Sequence, residues 1–157
     1  MKNKRKIISW VLLLGWMTFI FYMSNQTGNV SSGQSNKVVE ILKMLGFNFN
    51  NTANNIITFI VRKTAHFSEY FILYLLSYNV IRHYRDCNRC IGAILVVIIY
   101  AASDELHQYF IPGRSMALRD VIIDTTGGLI AMFLQNIIFL FRKKTNKNIK
   151  NGTISNA

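Results

Sequence analysis

The chain has 157 residues, of which 51% are hydrophobic and 16% are charged, and it contains a single proline. A soluble domain of this length does not need so much apolar surface, so the composition argues against one soluble core and favours a membrane protein. The formal net charge of +11 is typical of nucleic-acid-binding proteins. Here, however, the basic residues lie mostly at the ends of long apolar runs, and we expect no nucleic-acid partner.

Four apolar segments reach or approach the roughly 18 to 20 residues that cross a bilayer. They cover residues 7–23, 56–81, 91–110 and 121–141. Backbone polar groups have no water partner inside lipid, and these runs lack the alternation of barrel strands. The predicted fold class is therefore all-α: a polytopic membrane protein of about four transmembrane helices, surrounded by the lipid bilayer.

The distribution of basic residues predicts the orientation. Most of the 18 lysines and arginines lie before the first span, between the second and third spans, and after the fourth. Cytoplasmic loops are enriched in Lys and Arg, so both termini are predicted inside. We expect residues 1–141 to form the transmembrane domain and residues 142–157 to form a basic, disordered cytoplasmic tail.

Two loops need interpretation. Residues 24–55 are rich in Asn, Ser, Gly and Gln, and residues 37–45 within them are amphipathic, which fits either a helix lying flat at the interface or a solvated loop with one or two helical turns. Cys87 and Cys90 form one C-x-x-C pair in the predicted cytoplasmic loop. A structural zinc site needs four ligands and a redox pair needs a thioredoxin-like context, so we interpret them as reduced loop cysteines and predict no cofactor.

Ionisable residues gather at one surface of the predicted bundle. With the N-terminus inside, the start of the second span, the end of the third and the start of the fourth meet at the outer face, where five of the seven acidic residues lie. Charges in membrane helices usually pair or face a polar cavity. The predicted ligand-binding site comprises Arg62, Lys63, His66, Glu69, Tyr70, Asp104, Glu105, Gln108, Arg114, Asp120 and Asp124.

Helical spacing supports this grouping. Lys63, His66 and Tyr70 share one face of the second span, with Glu69 beside them. Asp104, Glu105 and Gln108 occupy one arc of the third span. In the fourth span, Asp120 and Asp124 stand above Gly127 and Ala131, small residues that allow a neighbouring helix to approach closely.

A structural explanation competes equally with a functional one. Ion pairs such as Lys63 with Glu69, or Arg114 with Asp104, could simply hold three helices together. His66 and Glu69, joined by Asp104 or His107, could bind a metal. Because their spacing matches no strong signature such as H-E-x-x-H, we predict no metal.

Three sequence blocks resemble the motifs of the VanZ-like family. They are Arg62-Lys63-x-x-His66-Phe67-x-Glu69-Tyr70, Asp104-Glu105-x-x-Gln108-x-Phe110-x-Pro112-Gly113-Arg114 and Asp120-x-x-x-Asp124-x-x-Gly127. The resemblance extends over approximately residues 7–141; the family commonly has Asn at position 124 and often Gly at position 131. It implies a bacterial cell-envelope protein of the plasma membrane, linked in its namesake to glycopeptide resistance, chiefly against teicoplanin.

Three functional hypotheses follow. In the first, a non-enzymatic envelope factor binds the headgroup of a lipid-linked wall precursor, and Arg62, Lys63 and Arg114 contact its phosphate or carboxylate. In the second, an intramembrane hydrolase or transferase acts on a lipid-linked phosphate or glycan, with Glu105, Glu69 or His66 as acid or base. In the third, the protein is a small transporter or an assembly partner of unidentified proteins.

Overall fold

Five α-helices make up most of the residues that the structure describes. The computed structural model describes residues 2–47, 50–84 and 88–154, and no strand occurs in these ranges. In chain order the helices are α1 (Lys2–Ser24), α2 (Gly28–Met44), α3 (Asn51–Ile81), α4 (Arg89–Gln108) and α5 (Leu118–Ile154). The all-α prediction is confirmed.

The helices differ in how well they suit a membrane. In the described residues α1, α4 and α5 are long and apolar enough, by length and composition, to cross one. With 31 residues α3 is also long enough, but the polar residues Arg62, Lys63, His66 and Glu69 interrupt its apolar run. The structure therefore offers three candidate spans, and the predicted count of about four is approximate.

Helix α2 is the largest difference from the expected fold. It has 17 residues and begins at Gly28, well before the amphipathic segment predicted at 37–45, so the solvated-loop interpretation is wrong. Ser35 and Val39, four residues apart, are buried and lie on one face of a helix that packs against α3. The first turns of α2 are rich in Ser, Gly and Gln, which weakens the apolar periodicity that marks a helix.

Helix α3 lies at the centre of the bundle and contacts all four other helices. Its side chains Tyr70, Leu73 and Tyr74 are fully buried. Helix α5 approaches α3 closely at Gly127, where an added Cβ would overlap the Phe67 carbonyl oxygen, and Ala131 one turn later is fully buried. The close packing predicted for this small-residue face is confirmed.

The turn between α4 and α5 fixes the start of α2. Gly113 adopts a positive φ of 74°, which glycine tolerates without strain. The Gly28 amide donates a hydrogen bond of 3.2 Å to the Pro112 carbonyl, and a Cβ on Gly28 would overlap the Gly113 carbonyl. This contact ties the start of α2 to the α4–α5 turn while the helix packs against α3.

The two remaining predictions concern the segments that the sequence assigns to the cytoplasm. Helix α5 continues to Ile154, where the sequence favours a disordered tail from residue 142; the division at residue 141 stays a prediction. Cys87 lies outside the described residues. Cys90 is a free thiol in the first turn of α4, so the interpretation of the C-x-x-C pair also stays a prediction.

Candidate functional site

The predicted site residues converge where three helices meet. The middle of α3 supplies residues 62–70, the C-terminal turn of α4 supplies residues 104–108, and the first turns of α5 supply Asp120 and Asp124. Arg114 comes from the α4–α5 turn. Contacts between the helices include the Lys63–Asp120 ion pair of 2.6 Å and the 3.9 Å approach of His66 Nδ1 to Asp124 Oδ1. The structure thus brings together residues that are far apart in the sequence.

Two arginines of the site are not neutralised by a carboxylate. Arg62 Nη2 donates to Ser32 Oγ on α2 at 2.6 Å, and Arg114 Nη2 donates to the Met23 carbonyl at 3.4 Å. Within the described ranges neither forms an ion pair. Burial lowers the pKa of Arg114, and the Asp104 carboxylate opposes this shift. Because arginine remains protonated in proteins, both groups carry a positive charge that no carboxylate contacts directly.

Lys63 has a partner other than the one expected. Its ammonium nitrogen lies 2.6 Å from Asp120 Oδ2, while Asp120 Oδ1 lies 3.9 Å from Arg119 Nε. The Lys63–Glu69 and Arg114–Asp104 ion pairs suggested by the sequence are absent from the described part of the chain. Lys63 therefore contributes to the α3–α5 contact and is less available to a ligand than the two arginines.

Two adjoining cavities open beside the arginines. The first, of about 190 Å³, lies between α2 and α3 and has an apolar wall that includes Met23, Val38 and Val61. The second, of about 120 Å³, is polar, and Lys63, Gln108, Gly113, Ser115 and Asp120 contribute to its walls. Arg62, His66 and Arg114 line both cavities. The apolar cavity and the polar cavity thus share the cationic side chains of Arg62 and Arg114.

The partly buried Glu69 and the buried carboxylates of Asp104 and Asp124 lie next to these cavities. Glu69 Oε2 is 3.7 Å from His66 Nδ1, and Asp104 Oδ2 accepts a hydrogen bond of 2.9 Å from Gln108 Nε2. Asp124 is 1% exposed, and in the described structure neither of its oxygens has a hydrogen-bond partner. Tyr70 is fully buried, with its ring 6.4 Å from that of Tyr100.

Glu105 has a different environment from the other acids. It is 1% exposed, its Oε2 accepts a hydrogen bond of 3.0 Å from the Ala117 amide, and it does not line either cavity described above. Ala117 immediately precedes α5, so Glu105 holds the start of α5 against the end of α4. Its geometry supports a positioning role, while Glu69 and His66 lie on a cavity wall.

The three motif blocks therefore lie in one structural unit, and a comparison with known families decides its membership. A family model described as VanZ/LLP1 matches residues 9–140. The chain belongs to the VanZ/LLP1 family. None of the curated proteins and none of the solved structures compared with the chain matches it significantly.

The VanZ/LLP1 match includes the part of the site that the sequence did not predict. Ser32 binds Arg62, the Met23 carbonyl binds Arg114, and Gln34 and Ser35 line the larger cavity. Ser32, Gln34 and Ser35 lie in α2, whose helical character is weak in the sequence, and Met23 lies at the end of α1. The abundance of Ser and Gln in residues 24–34 was the available signal, because Ser31 and Gln34 line the first cavity.

Proposed function

We propose that this VanZ/LLP1 protein is a multi-pass protein of the bacterial plasma membrane, with both termini in the cytoplasm. We further propose that its polar site, at the outer surface, binds the anionic headgroup of a lipid-linked cell-wall precursor. Binding of such a precursor would alter the access of glycopeptide antibiotics, which connects the site with teicoplanin resistance.

One observation carries the proposal: the apolar and polar cavities share Arg62 and Arg114. Both guanidiniums lack a carboxylate partner in the described structure, and each can contact phosphate oxygens in a bidentate manner. The neighbouring apolar wall suits the first part of a lipid chain. Cavities of 190 and 120 Å³ are small compared with typical ligand pockets of about 300–1,000 Å³, so they fit a phosphate and its attached groups while the lipid tail stays in the bilayer.

A lipid-binding assay tests the proposal. Purified protein in phosphatidylcholine nanodiscs is titrated with a polyprenyl diphosphate-linked disaccharide, and phosphatidylglycerol serves as a competing anionic lipid. We expect the precursor to bind in preference to phosphatidylglycerol, and Arg62→Gln and Arg114→Gln each to weaken its binding at least tenfold, about 1.4 kcal/mol. Arg119→Gln removes an equal charge from a side chain that is 69% exposed and serves as the control.

Two outcomes would contradict headgroup binding, and a third would remove the link with resistance. Equal affinity for both lipids would reduce the site to a nonspecific anionic contact. Equal losses in the Arg119 and Arg62 variants would show that net charge, rather than the cavity, is responsible. If cells that express the wild-type protein and cells that express the Arg62→Gln variant are equally susceptible to teicoplanin, the link with resistance is removed.

The orientation can be tested separately. In a variant whose two native cysteines are replaced by serine, Ser115→Cys should react with a membrane-impermeant maleimide in intact cells. Lys144→Cys should react only after permeabilisation. The opposite pattern would place the site in the cytoplasm and exclude an extracytoplasmic wall precursor as its ligand.

The position of Glu69 and His66 favours a second candidate, an intramembrane hydrolase or transferase acting on a lipid-linked phosphate or glycan. These residues lie 3.7 Å apart on the wall of the larger cavity, within reach of a bound headgroup as acid or base. Product formed from the same disaccharide lipid, and lost in Glu69→Gln, would support catalysis. Binding without product would retain the first candidate alone.

A further inference from the structure

A group of potential metal ligands lies beside the cavities, and the headgroup proposal assigns none of them to phosphate contact. It consists of His66 on α3, Asp104 on α4 and Asp124 on α5. Each residue presents one ligand atom, an imidazole nitrogen or a carboxylate oxygen, and these atoms all lie within 4.8 Å of one another. Their meeting depends on the packing of three helices.

Asp124 provides independent evidence that this group needs a ligand. Its side chain is 1% exposed, and both carboxylate oxygens are buried without a hydrogen-bond partner in the described structure. The Nδ1 atom of His66 is also buried without a hydrogen-bond partner, although it lies 3.9 Å from Asp124 Oδ1. Buried charges in proteins are paired or coordinate metals, so a cation bound between these side chains would compensate the Asp124 carboxylate.

The neighbouring cations do not fill this role. Lys63 is paired with Asp120 at 2.6 Å, Arg62 is directed to Ser32 and Arg114 to the Met23 carbonyl. Asp104 is held by Gln108, which donates a hydrogen bond to its Oδ2 at 2.9 Å. Hydrogen bonds of this kind commonly fix metal-ligating carboxylates.

The geometry points to a divalent transition-metal site, of the zinc or manganese type, formed by His66, Asp104 and Asp124. An imidazole favours zinc and related ions, whereas carboxylates also suit manganese. Ligands at about 2.0–2.2 Å from a tetrahedral ion lie roughly 3.4 Å apart, so the three side chains need to move inward by about an ångström. Three protein ligands leave a coordination position open. His66 also lines both cavities, which gives the ion a route to the site.

Metal stoichiometry provides the test. The full-length protein, purified without a histidine tag in phosphatidylcholine nanodiscs, is stripped with a chelator and then dialysed against ZnCl₂ or MnCl₂. We expect about one bound ion per chain, measured by inductively coupled plasma mass spectrometry, and a rise in Tm on metal addition. Asp124→Asn and His66→Gln should each weaken binding at least tenfold. Glu40→Gln, an exposed acid on α2, is the control and should bind as the wild type does.

Two results would overturn the inference: a wild-type protein that retains no ion above the level of His66→Gln, or an Asp124→Asn variant with wild-type affinity. If Asp124→Asn does not fold, His66→Gln and the metal-dependent Tm of the wild type decide the question. The assay contains no wall precursor, and Arg62→Gln should bind metal normally. Failure of headgroup binding and failure of metal binding are therefore distinguishable.

Discussion

The Lys63 ammonium lies 2.6 Å from the Asp120 carboxylate and thereby joins the middle of α3 to the first turn of α5. The two side chains are only 16% and 21% exposed. Exposed ion pairs contribute about 0–1 kcal/mol, whereas removing one partner of a buried pair costs more because the other charge is left uncompensated. This pair therefore stabilises the helix contact that forms one wall of the polar cavity.

A double-mutant cycle should measure that contribution. Lys63→Met and Asp120→Asn are each expected to lower the free energy of unfolding by about 1–3 kcal/mol. The double variant should lose at least about 0.5 kcal/mol less than the sum, because neither charge is then left alone. Unfolding is followed in micelles by circular dichroism. As a control, Arg119→Met at the exposed neighbouring residue should change the free energy of unfolding by less than about 0.5 kcal/mol. If the losses of the two single variants simply add in the double variant, the pairing is contradicted.

The approach of α5 to α3 makes Gly127 a sensitive position. Gly127→Ala would bring a Cβ against the Phe67 carbonyl and near the Phe71 amide nitrogen, so the helices must separate. We expect a loss of about 1–3 kcal/mol in the free energy of unfolding, the usual range for overpacking. Gly15→Ala in α1 is the matched control because no atom lies within 4 Å of its added Cβ. Helix propensity should make it neutral or stabilising by up to about 1 kcal/mol.

Much of this arrangement could be predicted because the limits on membrane helices are severe. Long apolar runs must become helices in lipid, and the small face at Gly127 and Ala131 indicated where two of them pack closely. The polar residues of α3, in contrast, made its membrane character harder to predict. Arg62 and Lys63 made it less apolar than the other spans, so its membrane character depends on what surrounds those charges. The length of helix α2 was underestimated because its Ser, Gly and Gln residues weaken the apolar pattern of the buried face that contains Ser35 and Val39.

The contacts within the site could not be predicted from the sequence, for a different reason. Helical spacing placed His66 beside Glu69, but which groups pair across helices depends on rotations and offsets that a sequence does not contain. Lys63 therefore forms an ion pair with Asp120 and not with Glu69. For the same reason no local motif revealed the grouping of His66, Asp104 and Asp124, since each comes from a separate helix.

Glu105 offers a test of a positioning role. Glu105→Gln keeps an oxygen that can accept the Ala117 amide hydrogen bond, so we expect nearly unchanged stability and precursor binding. Glu105→Leu removes the acceptor and leaves that amide unsatisfied, which should cost about 1–3 kcal/mol of stability. Thermal unfolding and the lipid titration are measured on both variants. A folded Glu105→Gln variant that binds precursor but has lost hydrolase or transferase activity would instead make Glu105 an acid or base.

The contact between Gly28 and the α4–α5 turn predicts that α2 controls binding. In Gly28→Ala the new Cβ overlaps the Gly113 carbonyl, so α2 must move away from the turn, carrying Ser32 away from Arg62. We expect precursor affinity to fall about tenfold, equivalent to 1.4 kcal/mol, with a smaller effect on overall unfolding because α1, α3, α4 and α5 keep their contacts. Gly33→Ala changes the same helix where the added Cβ has no atom within 4 Å, and it should bind normally. Equal binding by both variants would mean that α2 covers the cavity without shaping it.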